Sequence, residues 1–229
     1  MLPPSSIPAA RVCARGPDDN RAPRTIVVVH GLWMTGAVFA LQKVQLSRCG
    51  YRVRTFSYSS LRMGLDEIAA QLALFIGGLQ ARGVHLVGHS LGGLVVMNML
   101  ALYPHTPVGR VVLLGCPLTG SRVVQHLARS RAGRMLVGRA LREWLPERAA
   151  AVAAACDVGM IAGTRRFGAG SVLMSLPTPN DGAVCVDETQ LLGLRDHLTV
   201  PVSHSGLIVS TRATRQIDHF LEHGHFAHA

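Results

Sequence analysis

The apolar positions of this chain fall into short β-branched runs separated by stretches with helical spacing. Thr25-Ile26-Val27-Val28-Val29 is the first run, and its unbroken apolar character marks a strand buried on both faces. Arg52 to Phe56, after Gly50, is a second strand candidate. Leu65, Ile68, Leu72, Phe75, Ile76 and Leu79 then recur at the period of a helix, with Gly83 as its expected stop. Val84 to Val87, Arg110 to Leu114, Val158 to Ala162 and Leu198 to Val202 continue the strands. Ser90 to Tyr103 reads as a helix stopped by Pro104, and a last amphipathic helix carries Ile217, Phe220 and Leu221. Strands alternating with helices predict a doubly wound, mostly parallel α/β sheet spanning residues 25–223.

That rhythm breaks between about 118 and 157. Two short helices are expected there, one with Val123, Val124 and Leu127, the other with Val137, Leu141, Trp144 and Leu145. Arginines 122, 129, 131, 134, 139, 142 and 148 sit among them, against Glu143 and Glu147 alone. An amphipathic basic insertion after a strand is expected to cap the sheet's carboxyl edge, where ligands of such sheets bind.

Composition adds bounds. With 229 residues, 48% of them apolar, the chain can bury one sizeable core, and no apolar run approaches the roughly twenty residues of a membrane span. Residues 1–24 are rich in Pro, Ser, Arg and Asp and lack a continuous apolar segment, so they read as a flexible arm on a cytoplasmic protein. The five cysteines (Cys13, Cys49, Cys116, Cys156, Cys185) are scattered, with no Cys-x-x-Cys pair, and are expected as free thiols in a reducing compartment. The formal charge of +10, almost wholly from arginine, would attract anionic partners such as phospholipid surfaces or acidic carriers. No nucleic-acid motif accompanies it, so nucleic acid is not an expected partner.

The chemistry concentrates in Val84-His85-Leu86-Val87-Gly88-His89-Ser90-Leu91-Gly92-Gly93. A Gly-x-Ser-x-Gly pentapeptide is weak evidence in a chain with 24 glycines, but a buried strand before it and a helix after it are what a nucleophile turn requires. A serine hydroxyl needs a general base oriented by a carboxylate, and in this kind of sheet the chain order is serine, acid, histidine. His204 follows the last strand in Val202-Ser203-His204-Ser205-Gly206, where that base is wanted. The acid is Asp181 in Pro179-Asn180-Asp181-Gly182, although turn chemistry alone accounts for Asn-Asp-Gly, and Asp187, Glu188 and Asp196 compete. Asp157 precedes its strand and is less suited. Oxyanion donors are expected at the backbone N–H of Leu91 and, after the first strand, of Leu32 in Val29-His30-Gly31-Leu32-Trp33. His30 reads as shaping that turn, and Trp33 either lines an acyl pocket or packs; Leu118 is a further candidate substrate contact.

These pieces, with Gly115-Cys116-Pro117-Leu118-Thr119-Gly120-Ser121 and His204-Ser205-Gly206-Leu207, resemble the α/β-hydrolase superfamily over about Thr25 to Phe220. The chain is similar to small bacterial lipases and esterases and to GPI inositol-deacylase-like hydrolases. The resemblance implies Ser90 as nucleophile, Asp181 as acid and His204 as base, in agreement with the residues read alone. Many such lipases carry Thr and His where Cys116 and Leu118 stand, a change expected to fall on cap packing. The loop after Gly31 is not His-Gly-Gly-Gly, which argues against the esterase subgroup with that motif.

The expected activity is therefore cleavage of a carboxylic ester through an acyl-serine, on a lipid or on an acyl group held by an anionic carrier, with peripheral membrane contact through the basic cap. Acyl transfer or thioester cleavage by the same acyl-enzyme, or a non-catalytic binding protein of this fold, are the alternatives. No cofactor is implied. The histidines of the C-terminal stretch (His219, His223, His225, His228) have a spacing that could hold a metal, yet a loosely ordered tail over 224–229 is the preferred reading and no metal site is assigned.

Overall fold

The computed structural model describes residues 25–79, 81, 83–167 and 175–228. The N-terminal arm and Cys13 lie outside them. Six strands form one sheet in the order β2-β1-β3-β4-β5-β6, every neighbour parallel. They are β1 (Thr25–Val29), β2 (Arg52–Phe56), β3 (Val84–His89), β4 (Val108–Leu114), β5 (Val158–Gly163) and β6 (Asp196–Val200). The inner strands are buried on both faces, while the edge strands β2 and β6 are partly exposed, which explains why the inner runs are mostly apolar, His85 in β3 and Arg110 in β4 being the interior exceptions. β6 lies two residues earlier than its expected span.

Period-two alternation sorts the strand residues into two cores. Val27, Val29, Leu86 and Leu113 face one layer, packed by α2 (Leu65–Gly77), α3 (Leu91–Leu102) and α6 (Pro146–Ala155). Ile26, Val28, Val87 and Val112 face the other, packed by α1 (Ala40–Arg48) and the last helix, α8 (Thr211–His223). The apolar pattern does not foreshadow α1, because its inward face includes Gln42, fully buried, while Leu41 and Val44 face solvent. α2 ends at Gly78 rather than Gly83.

The segment expected as an insertion resolves into three helices: α4 (Arg122–Leu127), α5 (Arg131–Arg142, broken at Gly138) and α6. α6 packs on α3 through Ala149, Val152 and Ala153 and belongs to the helical layer, so the additional piece is α4 and α5. α5 reaches back over the carboxyl ends of β1 and β2. Trp33 Nε1 donates to the Leu136 carbonyl at 3.1 Å, and Leu65 N donates to Glu143 Oε2 at 2.8 Å.

Two expectations are corrected at the ends of the fold. The C-terminal stretch is not a loose tail: Phe226 is buried against Phe220, its N–H donates to Asp196 Oδ2 at 2.7 Å, and His228 Nε2 lies 2.9 Å from both oxygens of Asp196. Cys156 is disulfide-bonded while Cys49, Cys116 and Cys185 are free, so the free-thiol argument for a reducing compartment no longer holds. Among the described residues no helix is long and apolar enough to cross a membrane.

The chain leaves β1 toward β2 and then returns to place β3 on the other side of β1. The crevice between the carboxyl ends of β1 and β3 is therefore the sheet's topological switch point, where ligands of such sheets bind. A Cβ on Gly92 would lie 2.2 Å from the Val29 carbonyl and 2.5 Å from that of His30. Only glycine lets the first turn of α3 pass that close to the end of β1. Gly92→Ala is expected to cost about 2–3 kcal/mol, as overpacking does, lowering Tm by roughly 4–12 °C. Gly77→Ala, where a Cβ meets nothing within 4 Å, is expected to raise stability by up to about 1 kcal/mol. Differential scanning calorimetry of the pair checks both signs.

Candidate active site

Ser90 sits between β3 and α3 with φ 54° and ψ −124°, a conformation that costs a non-glycine residue of the order of 1–3 kcal/mol. The turn is held from behind. Ser90 N–H donates to the Leu114 carbonyl at 2.9 Å, and Gly93 N–H to the Ser90 carbonyl at 3.0 Å. Cys116 lies fully buried beneath it, its thiol directed at the carbonyls of Gly88 and Leu114 and its Sγ 2.0 Å from where a Gly93 Cβ would stand. Burial pushes that thiol up to about 12, so it stays uncharged. The substitution at Cys116 thus bears on the turn that carries Ser90 rather than on the cap, a correction to the sequence reading.

Asp181 and His204 are brought together from the loops after β5 and β6. His204 Nδ1–H donates to Asp181 Oδ2 at 2.7 Å, and the His204 backbone N–H donates to the Asp181 carbonyl at 2.9 Å. The other carboxylate oxygen accepts from the N–H groups of Ala183 and Val184 at 2.9 and 2.8 Å. Asp181 is 1% exposed, so all of its oxygens are committed inside the protein. His204 Nδ1 is accordingly the protonated nitrogen, which leaves Nε2 as the basic one.

The competing acids are engaged elsewhere. Asp187 forms a bidentate pair with Arg122 at 2.9 and 2.7 Å, and that guanidinium holds its carboxyl below the usual range. Glu188 is buried and accepts from the N–H groups of Arg122 and Cys185, closing α7 (Val186–Thr189); burial raises its carboxyl. Asp196 ties down Phe226 and His228, and Asp157 pairs with Arg110 at 3.7 Å where β4 begins. Among these acids, Asp181 alone is paired with His204.

Leu91 is the first residue of α3, so its N–H has no partner within the helix. Leu32 N–H likewise donates to no other backbone carbonyl of the described residues. The loop bearing it is braced by His30, which is fully buried, stacks on Tyr58 at 4.4 Å, and donates from Nδ1 to the Gly31 carbonyl at 2.9 Å. Tyr58 N–H donates to His30 Nε2 and its hydroxyl to the His30 carbonyl at 2.7 Å. Desolvation lowers the His30 imidazole, consistent with a neutral ring that shapes the turn. Sequence reasoning misses Tyr58; the signal that could find it is an aromatic two residues past β2, level with the end of β1.

The two candidate substrate contacts fare differently. Leu118 is fully buried in the core and its carbonyl accepts from Trp144 Nε1, so it presents no surface to a ligand here. Trp33, with φ 58°, is 54% exposed and bridges the loop after β1 to α5 instead of lining an enclosed pocket. An open cavity of about 650 Å³ lies beside the loop of His204, bordered by Arg165, Arg166 and Ser203, but neither Ser90 nor Trp33 lines it. The rings of His219, His223 and His225 lie 4.3–6.0 Å apart, each Nδ1 directed at a backbone carbonyl. Among the described residues no group of three or more His, Cys, Asp or Glu is placed to hold a metal ion.

The profile of the Alpha/beta hydrolase family matches residues 26–229. Among solved structures, lipase BlEst2 of Bacillus licheniformis in its mature form superposes with a TM-score of 0.73 at 21% identity, over 89% of this chain and 92% of that one. An extracellular α/β-hydrolase from a Paenibacillus species gives 0.60 at 14% identity, over 86% and 98%. Carboxylesterase CesB of Bacillus subtilis gives 0.56 at 16%, over 92% and 86%. At these identities the likeness is one of fold. Comparison with curated proteins gives no match.

Proposed function

Because the chain belongs to the alpha/beta hydrolase family, we propose that it cleaves carboxylic esters through an acyl-Ser90 intermediate. The observation that carries this reading is the pairing of buried Asp181 with the partly exposed His204, at the same carboxyl edge of the sheet as a serine held at φ 54°. Ser90 Oγ attacks the ester carbonyl while its proton passes to His204 Nε2. The tetrahedral oxyanion accepts from the N–H groups of Leu32 and Leu91, and one such donor is typically worth about 3–4 kcal/mol in the transition state. Collapse expels the alcohol, which takes the proton back from Nε2. Water, deprotonated by the same nitrogen, then releases the acid and regenerates Ser90. Asp181 stays ionised and fixes the tautomer. The lipase and the carboxylesterase among the neighbours agree with an ester substrate at the level of fold.

For the substrate we propose an ester presented at an anionic lipid surface. Met135 and Leu136 on α5, with Trp33 bonded to it, expose large apolar surface beside the switch point. Arg131, Arg134 and Arg142 stand exposed on the same helix. Three arginines near such a surface are worth about 1 kcal/mol each, roughly 100-fold in binding at low salt. Hydrolysis of a p-nitrophenyl ester series is the test, with phosphatidylglycerol vesicles, phosphatidylcholine vesicles or none. Long-chain esters should turn over about ten-fold faster with the anionic vesicles, and the gain should vanish near 1 M salt, where the Debye length falls to about 3 Å. A salt-insensitive preference for short soluble esters would remove the lipid surface, and no turnover of any ester would remove ester cleavage itself.

A further inference from the structure

We infer that His89, the residue before the nucleophile, is a positioning residue that ties the backbone of His204 to the strand carrying Ser90; the assignment rests on the hydrolase reading above. His89 ends β3 and is fully buried. Its Nε2 lies 3.0 Å from the His204 carbonyl oxygen, and the two rings are 4.7 Å apart, tilted by 47°. A carbonyl only accepts, so Nε2 carries the proton and Nδ1 is bare. That Nδ1 is sealed from solvent and has no hydrogen-bond partner among the described residues. It faces the oxyanion loop: a Cβ on Gly31 would lie 3.1 Å from it and 3.1 Å from Ser90 Cβ. A leucine would fill this space without leaving an unpaired buried acceptor, so what the imidazole adds is the bond from Nε2–H.

That bond differs in kind from the other two that hold His204. The ring and the backbone N–H of His204 both bind Asp181, so they move with the acid loop. Among the described residues the carbonyl has one other donor, Leu207 N–H, within its own loop at a long 3.4 Å. His89 is thus the strut from His204 to β3, although β4 and β5 separate β3 from β6 in the sheet. Ser90 follows His89 directly, so the strut sets the base loop against the nucleophile itself. Burial, and secondarily the neighbouring His204, hold the His89 imidazole down to about 3, with Asp181 and His30 the other titratable groups that act on it. The ring is therefore kept neutral at working pH, and no second positive charge stands beside His204 when that ring takes a proton; the bond to the His204 carbonyl is what puts the proton on Nε2.

The test compares His89→Leu and His89→Gln by kcat per burst-titrated active site on a p-nitrophenyl ester, and by ¹⁵N-histidine NMR of the whole chain. Gln carries an amide N–H to about the reach of Nε2. The Leu variant should lose about 10- to 100-fold in kcat, as a misplaced base does, with KM within about two-fold. The Gln variant should recover at least ten-fold of that loss, roughly the share owed to the bond. NMR of the wild type should show His89 as the neutral Nε2–H tautomer from about pH 5 to 9. The downfield Nδ1 proton of His204 should persist in the Gln variant and broaden in the Leu variant. The assignment is overturned if His89→Leu leaves kcat unchanged, if the Gln variant is as slow as the Leu variant, or if wild-type His89 carries its proton on Nδ1. Should the Leu variant not fold, the Gln variant and the wild-type tautomer decide. A wild type that shows these NMR signals but cleaves no ester would sink the hydrolase reading and leave the strut standing.

Discussion

Replacing Ser90 with alanine is expected to lower ester turnover by about 10⁵–10⁶-fold, the scale on which removal of a serine nucleophile acts, and to abolish labelling by a fluorophosphonate probe. The fold should be indifferent to the change. Alanine meets the same strained φ of 54° as serine, and the turn is held by its backbone bonds to Leu114 and Gly93 rather than by the hydroxyl. Ser90→Gly should be equally inactive yet more stable, by about 1 kcal/mol or more, because glycine relieves the strain. This opposite movement of stability and activity separates a nucleophile turn from a structural serine. Ser203 and Ser205 flank His204 and are the natural controls; the Ser203 hydroxyl accepts from Gly206 N–H at 3.3 Å within its own loop. Labelling of the Ser90→Ala protein at the wild-type rate would take the nucleophile role away from Ser90.

Much of this architecture is legible in the chain because parallel strands buried on both faces must be largely apolar, and the four inner runs show that despite His85 and Arg110. The apolar pattern places β6 two residues late because it is an edge strand whose side chains are half exposed, so apolar character does not mark its start at Asp196. α1 is invisible for a related reason: Gln42 is buried with its amide on the Leu207 carbonyl at 3.4 Å, and the helix shows Leu41 and Val44 to solvent while only Leu46 of its apolar side chains is fully buried. The basic stretch stands out as an insertion, but α6 cannot be told from it, since an alanine-rich helix packs as well on α3 as on a cap. Pattern reading also assigns Leu118 outward and Cys116 to the cap. Both lie inside, where their neighbours come from distant parts of the chain.

Ser90 and His204 can be picked out because each sits at the carboxyl end of a recognisable strand, with glycines where the backbone must turn. His89 and Tyr58 cannot. Their partners, the His204 carbonyl and the backbone of His30, are main-chain groups that carry no sequence signature. The acid is ambiguous for a different reason: four carboxylates lie within a short stretch, and only their pairings distinguish them. Arg122 takes Asp187 and its backbone N–H takes Glu188, while the C-terminal residues take Asp196.

Those pairings give the second large effect. Asp181→Asn is expected to cost about 10⁴-fold in kcat, the scale seen when a triad carboxylate becomes an amide, while the protein stays folded. The two backbone N–H groups of Ala183 and Val184 point at Oδ1, so an asparagine here must keep its amide oxygen on that side. The amide nitrogen then faces His204 Nδ1, which can no longer donate and must accept. The proton is driven to Nε2, the nitrogen that has to receive the Ser90 proton, and the base is lost with its geometry intact. Asp187→Asn removes an exposed pair with Arg122, worth about 0–1 kcal/mol, and should leave kcat within about three-fold, since neither partner meets His204. Kinetics on the two variants side by side, with ¹⁵N-histidine NMR to read the His204 tautomer, tests the assignment of the acid. An active Asp181→Asn enzyme, or one whose His204 still carries its proton on Nδ1, would show that the 2.7 Å contact between these two side chains does not govern the chemistry.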